Sequence, residues 1–353
     1  MKKIMIAGAG GAPSEGVINS LLKSGNEIIY GLGSEPTDLI LSNAEKKFFV
    51  PYADTIEYKP ALLKILNEQK PDLLHFQNDL EIFHASLFRD EILKTGVKLF
   101  MPEHNVIDTC VHKHKSYEAF KNAGVKVPRN IFINNEEDLK QSFIELADKN
   151  GKIWLRASSI GGGGKGAIPT SDYALAKSWI DHYKGWGDFV AAEMLCADTI
   201  TWLSIWHNGE LVVAQTRARK GWTHGNRSIS GVTGVTKVGV TCSDDLVSKI
   251  AIETVKSVSD KPHGIFGVDM AYDKDGIPNP TEINISRFFT TVQFFTEAGL
   301  NMPEIFKDIA LYNKFPTLNK VINPLPNDLL WLRGMDTKPK LMTAAEIESG
   351  IIF

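Results

Sequence analysis

Cysteine is scarce in this sequence of 353 residues. The three cysteines, at positions 110, 196 and 242, are far apart and odd in number. They therefore predict neither a disulfide framework nor a zinc knuckle. A chain without a disulfide framework fits a reducing compartment, so we expect a cytoplasmic protein.

Long apolar runs and clustered basic residues are also missing. No stretch approaches the roughly 18 unbroken apolar residues of a membrane-spanning helix. The N-terminal MKKIMIAGAGGAPSEG has a short apolar part that runs into glycines, which is typical of a first β-strand rather than of a signal peptide. The net charge is −3 and the basic residues are scattered. We therefore expect no membrane and no nucleic-acid partner.

About the first hundred residues alternate between strands and helices. The strand-like segments are near-continuously apolar, which predicts a doubly wound parallel layer; one long helix is predicted over LEIFHASLFRDEILKTG. A dinucleotide site is less favoured, because Pro13 stands where the third glycine of G-x-G-x-x-G belongs. Asn78, Asp79 and Glu81 follow a strand at the edge where such sheets bind ligands. They either face a substrate or complement a helix dipole.

From about residue 111 the pattern becomes antiparallel, as in an α+β unit. A strand is predicted over VKVPRNIFI. Asn208-Gly209 lies between two alternating runs and predicts a hairpin, and a second hairpin is predicted around Lys274–Ile277. A helix is predicted over Met302–Tyr312, before a Pro-rich tail from about residue 316.

The second hairpin carries candidate metal ligands. Glu282 and Asn284 are two apart on one strand and share a face, and Asp269 can lie across from them because the turn is short. Two carboxylates and an amide oxygen are ligands suited to Mg²⁺ held together with phosphates. The alternative is solvated charge on an amphipathic hairpin, which fits Glu282 less well because Ile283 and Ile285 must fill the opposite face.

Cations and glycines precede this hairpin in the chain. Lys113 stands before a helix, Arg156 closes a strand, and Lys165 lies within the glycine run Gly161–Gly166. The unobstructed backbone N–H groups of glycines and a fixed cation favour the binding of a phosphate group. The run is not a P-loop, because Gly166 follows Lys165 where serine or threonine is required. Between two strands, it would drape over phosphates as a lid.

Three further groups have plainer interpretations. His104, His112 and His114 are interpreted as incidental surface residues rather than zinc ligands. Trp202 and Trp206 are four apart on an alternating strand and are predicted to pack in the core. The basic, glycine-rich segment 217–234 is either a mobile loop that closes on substrate anions through Arg217, Arg219 and Lys220, or a solvated hairpin connection.

In their order along the chain, these motifs resemble the ATP-grasp superfamily, over residues 1–315. HKHKSYEAFKNAGVKVP resembles its Asp-Lys helix, with His112 in place of the aspartate. IWLRASSIGGGGKGA resembles the second cation and the lid, with an arginine of the carbamoyl-phosphate-synthase type and a loop closer to biotin carboxylase. FVAAEMLCADT resembles the adenine hinge. GVDMAYDKDGIPNPTEINIS resembles the metal strands, with Arg287 following Glu-x-Asn after one extra residue, Ser286.

The resemblance implies a fold and a site. It implies an α/β Rossmann-like pre-domain followed by an α+β ATP-grasp fold whose two subdomains clasp ATP. The implied units are residues 1–108 (pre-domain), 109–195 (small lid subdomain), 196–315 (large metal subdomain) and 316–353 (C-terminal extension). The implied ATP contacts are Lys113, Arg156, Gly162, Gly163, Gly164, Lys165, Glu193, Met194, Leu195, Asp198 and Thr199. In that hinge Glu193 receives the exocyclic amine of adenine, and the backbone around Met194 and Leu195 reads the ring edge.

The resemblance also implies a reaction. We expect an ATP- and Mg²⁺-dependent ligase, with Mn²⁺ able to replace Mg²⁺, that joins a small-molecule carboxylate to an amine through an acylphosphate. Asp269, Glu282 and Asn284 would hold the metal, and Arg287 with Arg217 or Arg219 would neutralise the substrate. A homodimer is compatible with this reading. A carboxyphosphate- or carbamate-forming enzyme and a non-catalytic nucleotide sensor remain as alternatives.

Overall fold

The computed structural model describes residues 1–158, 166–232, 234–334 and 338–349, and the strands in these ranges form three sheets. No helix in the described ranges is both long and apolar enough to cross a bilayer.

The N-terminal layer is a parallel sheet of five strands in the order β3-β2-β1-β4-β5. The parallel pairing confirms the prediction of a parallel layer, which is based on apolar strands that alternate with helices. In chain order its elements are β1 (Lys2–Ala7), α1 (Ala12–Ser24), β2 (Glu27–Gly33), α2 (Pro36–Leu41), β3 (Lys46–Phe49), α3 (Tyr58–Gln69), β4 (Leu73–His75), α4 (Asp79–Ser86), α5 (Arg89–Lys94), β5 (Lys98–Leu99) and α6 (His104–Val111).

The single helix predicted after β4 is wrong. The chain forms α4 and α5 instead, because Phe88 leaves the helical backbone at φ −125° and ψ 32°. Its ring turns into the core and meets the Tyr58 ring edge-on at 6.3 Å between centroids. Burial of the aromatic ring thus overrides the local helical pattern.

A four-stranded antiparallel sheet follows, in the order β6-β9-β7-β8. It has an apolar core of its own. Strand β6 is shorter than predicted and starts after Pro128, which has no N–H to offer a neighbouring strand. The elements are α7 (Lys113–Asn122), β6 (Asn130–Ile133), α8 (Glu136–Glu145), β7 (Ile153–Ala157), β8 (Ile168–Thr170), α9 (Tyr173–His182) and β9 (Phe189–Ala192).

The largest sheet has seven strands in the order β14-β13-β10-β11-β12-β15-β16. Both predicted hairpins are present, and at the first turn Asn208 and Gly209 have φ of 51° and 96°, as a two-residue hairpin requires. The elements are β10 (Thr199–His207), β11 (Glu210–Arg219), β12 (Val238–Cys242), α10 (Asp245–Val258), β13 (Gly264–Tyr272), β14 (Pro278–Ile285), α11 (Val292–Glu297), α12 (Met302–Tyr312), β15 (Leu330–Leu332), β16 (Lys340–Met342) and α13 (Ala344–Ser349).

Two segments of this sheet differ from expectation. The mobile loop predicted to begin at Arg217 is wrong at its start, because strand β11 continues through Arg219. The residues after 315 are not only a tail, since β15 pairs with β12 and β16 pairs with β15. The helix predicted over Met302–Tyr312 is confirmed at both ends.

The parallel layer and the seven-stranded sheet share their apolar cores. One cluster joins Met5 and Phe76 of the first layer to Trp202 and Trp206 of β10, so the predicted burial of both tryptophans is confirmed. A second cluster joins side chains of β1 and α1 to side chains of β13 and α12. These two layers therefore form one packed body.

Glu81 is a buried carboxyl at the carboxyl ends of the parallel strands. Its side chain accepts hydrogen bonds from Tyr58 Oη and Asn78 Nδ2, each at 2.9 Å, and with Asn78 it lines a cavity of about 220 Å³. Burial raises the pKa of Glu81 to about 7, although both hydrogen bonds oppose the shift.

This raised pKa predicts a pH-dependent stability. A carboxyl whose folded-state pKa lies above its unfolded value stabilises the fold at low pH, and the contribution is lost as the pH rises through about 7. From pH 5 to pH 8 we expect Glu81 to lower the free energy of unfolding by about 2 kcal/mol. Urea unfolding of Glu81→Gln should lack this decrease, whereas the exposed control Glu253→Gln should keep it. Equal slopes in both variants would contradict the assignment.

Candidate functional site

A cavity of about 690 Å³ lies between the four-stranded and the seven-stranded sheet. Eleven of the predicted site residues line it: Lys113, Arg156, Glu193, Met194, Leu195, Asp198, Thr199, Arg219, Lys220, Asp269 and Glu282. A groove of about 760 Å³ between α10 and residues 320–327 is larger, but within the described part of the chain none of the predicted site residues lines it. The smaller cavity is therefore the candidate site.

The predicted glycine lid lies outside the described residues. This applies to Gly162, Gly163, Gly164 and Lys165, so their role stays a prediction. The residues on either side of that segment, Ala157 and Ala167, both line the cavity.

The two predicted carboxylates face each other on neighbouring strands. Asp269 of β13 and Glu282 of β14 are paired in register, and a bulge follows Asp269. Both side chains are partly exposed, at 23% and 32%. Ile283 and Ile285 are buried on the opposite face, so the predicted alternation is confirmed. The pair presents oxygen donors to the cavity, as Mg²⁺ prefers.

Asn284 is placed differently from a free metal ligand. It is 8% exposed, and its Nδ2 donates to Asp269 Oδ2 at 3.0 Å. Its Oδ1 accepts from Arg287 Nη2. One lone pair of Asn284 Oδ1 is therefore taken by Arg287, and a metal could bind only at the second. Within the described ranges, moreover, no three His, Cys, Asp or Glu side chains form a group that could hold a metal ion.

Cations surround the carboxylate pair at distances just beyond hydrogen bonds. Lys113 Nζ lies 3.8 Å from Glu282 Oε2, and Arg156 Nη1 lies 3.9 Å from the same atom. Arg219 Nη2 lies 3.9 Å from Asp269 Oδ1. Burial lowers the pKa of Arg156 and of Arg219, and the facing carboxylates oppose the shift. The cations offset the negative charge while the carboxylate oxygens stay available to a ligand.

The hinge between β9 and β10 forms one wall of the cavity. The carboxylate of Glu193 accepts from the backbone N–H of Arg129 at 2.9 Å and from its Nε at 3.0 Å. These bonds fix the orientation of the carboxylate, which lines the cavity beside the hinge backbone. Asp198 is exposed and Thr199 half-buried, and the Thr199 hydroxyl accepts from Arg219 Nη1 at 2.6 Å.

The arginines of strand β11 have different surroundings. Arg219 lines the cavity and lies over the Trp222 ring at 3.7 Å, in a cation–π contact. Arg217 is 1% exposed and does not line that cavity. Burial, with the nearby Arg219 charge, lowers the pKa of Arg217 to about 9. Of these two, only Arg219 faces the candidate site.

Arg287 is already paired with a carboxylate. Its Nε and Nη2 donate to the two Asp79 oxygens at 2.7 and 2.9 Å, in a bidentate geometry. Burial opposes the charge, but Asp79, Glu282 and Asp269 outweigh it and raise the pKa of Arg287. The fold therefore brings Asp79, which follows a parallel strand, to Arg287, and Asp79 itself is the anion that pairs with it.

The three histidines do not converge on a zinc site. His104 Nδ1 bonds Ser86 Oγ at 2.7 Å, His112 Nδ1 lies 3.2 Å from Asp108, and the His114 ring packs on Phe132. All three are half-buried rather than exposed.

Sequence reasoning missed three residues of the site. Thr201 hydrogen-bonds Asp269, Arg129 binds Glu193, and Trp222 stacks on Arg219. Thr201 carries a weak sequence signal, because it alternates with the predicted Thr199 on one strand face. Arg129 contacts a residue 64 positions away, which no local pattern reveals.

Comparisons with known proteins are informative at the level of structure. No protein-family model and no curated protein sequence matches the chain. A carboxyaminoimidazole ribonucleotide synthase from Aspergillus clavatus, complexed with ATP, superposes with a TM-score of 0.70 at 14% identity, over 94% of this chain and 81% of that one. A biotin carboxylase ATP complex from Campylobacter jejuni has a TM-score of 0.70 at 16% identity, over 94% and 75%.

An enzyme with a different activity superposes similarly. The L-amino acid ligase from Bacillus licheniformis has a TM-score of 0.63 at 12% identity, over 94% of this chain and 79% of that one. The chain has the ATP-grasp fold. At these identities the likeness establishes the fold alone. What the site can do chemically therefore depends on its own residues.

The cavity rim carries the one exposed cysteine. Cys196 of the hinge is exposed, whereas burial raises the pKa of Cys110 and of the half-buried Cys242. Because the thiolate is the reactive form, we expect iodoacetamide to modify one thiol per native chain. Mass spectrometry should locate it at Cys196, and Cys196→Ser should remove it. Modification of Cys242 at an equal rate would contradict the exposure of this hinge.

Proposed function

We propose that this ATP-grasp protein is an ATP- and Mg²⁺-dependent ligase that joins a carboxylate to an amine. The observation that carries the proposal is one cavity in which a carboxylate pair faces Lys113, Arg156 and Arg219, with a hinge loop on the far wall. Such a site suits phosphoryl transfer, in which positioning and charge stabilisation supply most of the catalysis.

The nucleotide is proposed to lie between the two antiparallel sheets. Its adenine would meet the hinge backbone at Met194 and Leu195, and Glu193, held in place by Arg129, would receive the exocyclic amine. Lys113 and Arg156 would bind the phosphates. The unit boundaries at 108, 195 and 315, and a Rossmann-like identity for the parallel layer, belong to the same proposal.

The donor set of the carboxylate pair fits a divalent cation. Asp269 and Glu282 are partly exposed and opposed in register, and Mg²⁺ is commonly bound by one or two carboxylates together with substrate phosphates. When bound, the cation would neutralise charge on the ATP phosphates. Asn284 stays a prediction as third ligand.

The reaction proceeds in two steps. A carboxylate oxygen of the first substrate attacks the γ-phosphorus of ATP, the bond to the bridging oxygen breaks, and ADP leaves. The amine then attacks the acyl carbon of the acylphosphate, inorganic phosphate leaves, and the amine nitrogen loses a proton. Arg219 is the β11 arginine placed to offset charge on the acylphosphate, because it lines the cavity. Water exclusion protects this intermediate.

The Asp79–Arg287 pair supports a carboxylate subsite at Arg287. Asp79 binds the guanidinium with both oxygens, as a substrate carboxylate would. A substrate that displaced Asp79 would meet the metal strands directly, because Arg287 also bonds Asn284.

A coupled assay of ADP release tests the proposed reaction. Carboxylic acids, with bicarbonate included, are offered with amines, and we expect ADP only with a matching pair. Glu282→Ala should lower that rate by about 100-fold, since a metal-linked carboxylate supplies several kcal/mol of charge stabilisation. Asp275→Ala, an exposed carboxylate in the turn of the same hairpin, is the matched control.

The outcomes of this assay separate the alternatives. Turnover with bicarbonate alone as the acid would indicate a carboxyphosphate-forming enzyme. Tight ATP binding without ADP from any pair would favour a sensor. Unchanged turnover in Glu282→Ala would overturn the metal assignment.

Protection of Cys196 tests the position of the nucleotide. The thiol lies in the hinge that lines the cavity, so bound ATP should slow its alkylation by about ten-fold. This corresponds to a rise of about 1.4 kcal/mol in the apparent activation free energy of alkylation. Inorganic phosphate, which cannot occupy the hinge, serves as the control. Equal alkylation rates with and without saturating ATP would place the nucleotide elsewhere.

A further inference from the structure

We infer that Arg217 and Thr201 are positioning residues that orient the metal-binding carboxylate of Asp269. The inference rests on the proposed function, because it concerns the metal site of that reaction. It also replaces the role predicted for Arg217, which was direct contact with the substrate.

Four strands place the relevant side chains in one row. Thr201 of β10 is paired in register with Arg217 of β11 on one side and with Asp269 of β13 on the other. Asp269 is in turn paired with Glu282 of β14. Residues directly opposite each other in an antiparallel sheet project from the same face. The row therefore runs from a buried guanidinium to the carboxylate pair.

The hydrogen bonds along this row have a fixed direction. Arg217 Nη2 donates to the Thr201 hydroxyl, and that hydroxyl donates its only proton to Asp269 Oδ1. Asn284 Nδ2 donates to the other oxygen, Oδ2, at 3.0 Å. Each carboxylate oxygen thus has a protein donor that fixes its orientation and keeps further lone pairs for a cation.

Arg217 is held by hydroxyls rather than by a carboxylate. Its Nη1 donates to Thr236 Oγ1 at 2.8 Å and to Thr291 Oγ1 at 3.2 Å, while Nε is buried and has no hydrogen-bond partner among the residues that the structure describes. The side chain crosses strand β12 at Gly239, where a Cβ atom would lie 3.0 Å from Arg217 Cδ. Because Arg217 is 1% exposed and does not line the described cavity, its guanidinium acts on Asp269 through Thr201.

Removal of a side chain that hydrogen-bonds a metal ligand typically lowers the metal affinity by 10- to 100-fold. Without the Thr201 hydroxyl, the Asp269 carboxylate can rotate about its side-chain bonds, and the buried Arg217 charge loses an acceptor. Thr201→Val keeps the shape of the side chain and removes only its hydroxyl. It is therefore the sharpest single variant.

Manganese binding measured by electron paramagnetic resonance in the presence of ADP tests this inference. We expect Thr201→Val to weaken Mn²⁺ binding by about ten-fold, and Thr201→Ser to restore it to within about two-fold, because serine keeps the donor. ADP binding measured in EDTA should be the same in all forms. Thr254→Val, another buried threonine, whose hydroxyl bonds the Ile250 carbonyl oxygen at 2.7 Å, is the control.

Each result decides the matter. Wild-type Mn²⁺ affinity in Thr201→Val, or an equal loss in Thr254→Val, overturns the inference. Loss of ADP binding in EDTA by Thr201→Val would indicate a structural role and overturns it as well. If the wild-type protein binds ADP but no Mn²⁺, the inference and the metal part of the proposed function both fail. If it binds Mn²⁺ with ADP while the ligase assay gives no ADP, only the proposed reaction fails.

Discussion

The arrangement of the cavity depends on two like charges that are paired in register. Asp269 and Glu282 face each other across neighbouring strands, and like charges in that position destabilise a sheet. The folded chain tolerates them because Lys113, Arg156 and Arg219 approach within 4 Å. These cations come from a helix, from the small sheet and from the large sheet. The charge balance of the hairpin therefore ties distant segments to one cavity.

The same balance makes the site responsive to ligands. None of the three cation–carboxylate distances is a direct hydrogen bond, so an incoming phosphate can approach the cations without breaking such a bond to the carboxylate pair. Arg156 and Arg219 are held in place by other hydrogen bonds, to the Thr281 carbonyl oxygen and to the Thr199 hydroxyl. By contrast, Arg287 is bound tightly by Asp79. The cavity thus combines cations that stand just beyond hydrogen-bond distance of the carboxylate pair, on the proposed nucleotide side, with an arginine bound directly by a carboxylate on the side of the parallel layer.

The sequence predicts features that repeat along the chain and misses those that depend on register. Period-two alternation placed Glu282 opposite Ile283 and Ile285, and the Asn208-Gly209 turn identified its hairpin. The link from Arg217 to Asp269 depends on how three strands pair, which no local pattern specifies. The basic, glycine-rich sequence that follows Arg217 is also typical of a loop. The strand nevertheless continues through this position, because hydroxyl groups from elsewhere in the fold stabilise Arg217.

The shared cores have a consequence for how the chain can be recombined. A crossover near residue 108 would cut through two apolar clusters that span the parallel layer and the seven-stranded sheet. A pair of recombination crossovers, one at each end of residues 130–192, would instead replace the four-stranded sheet together with its own apolar core. Because the core of the small sheet shares no side chain with the two other apolar clusters, replacing that segment would leave the residues of those clusters unchanged.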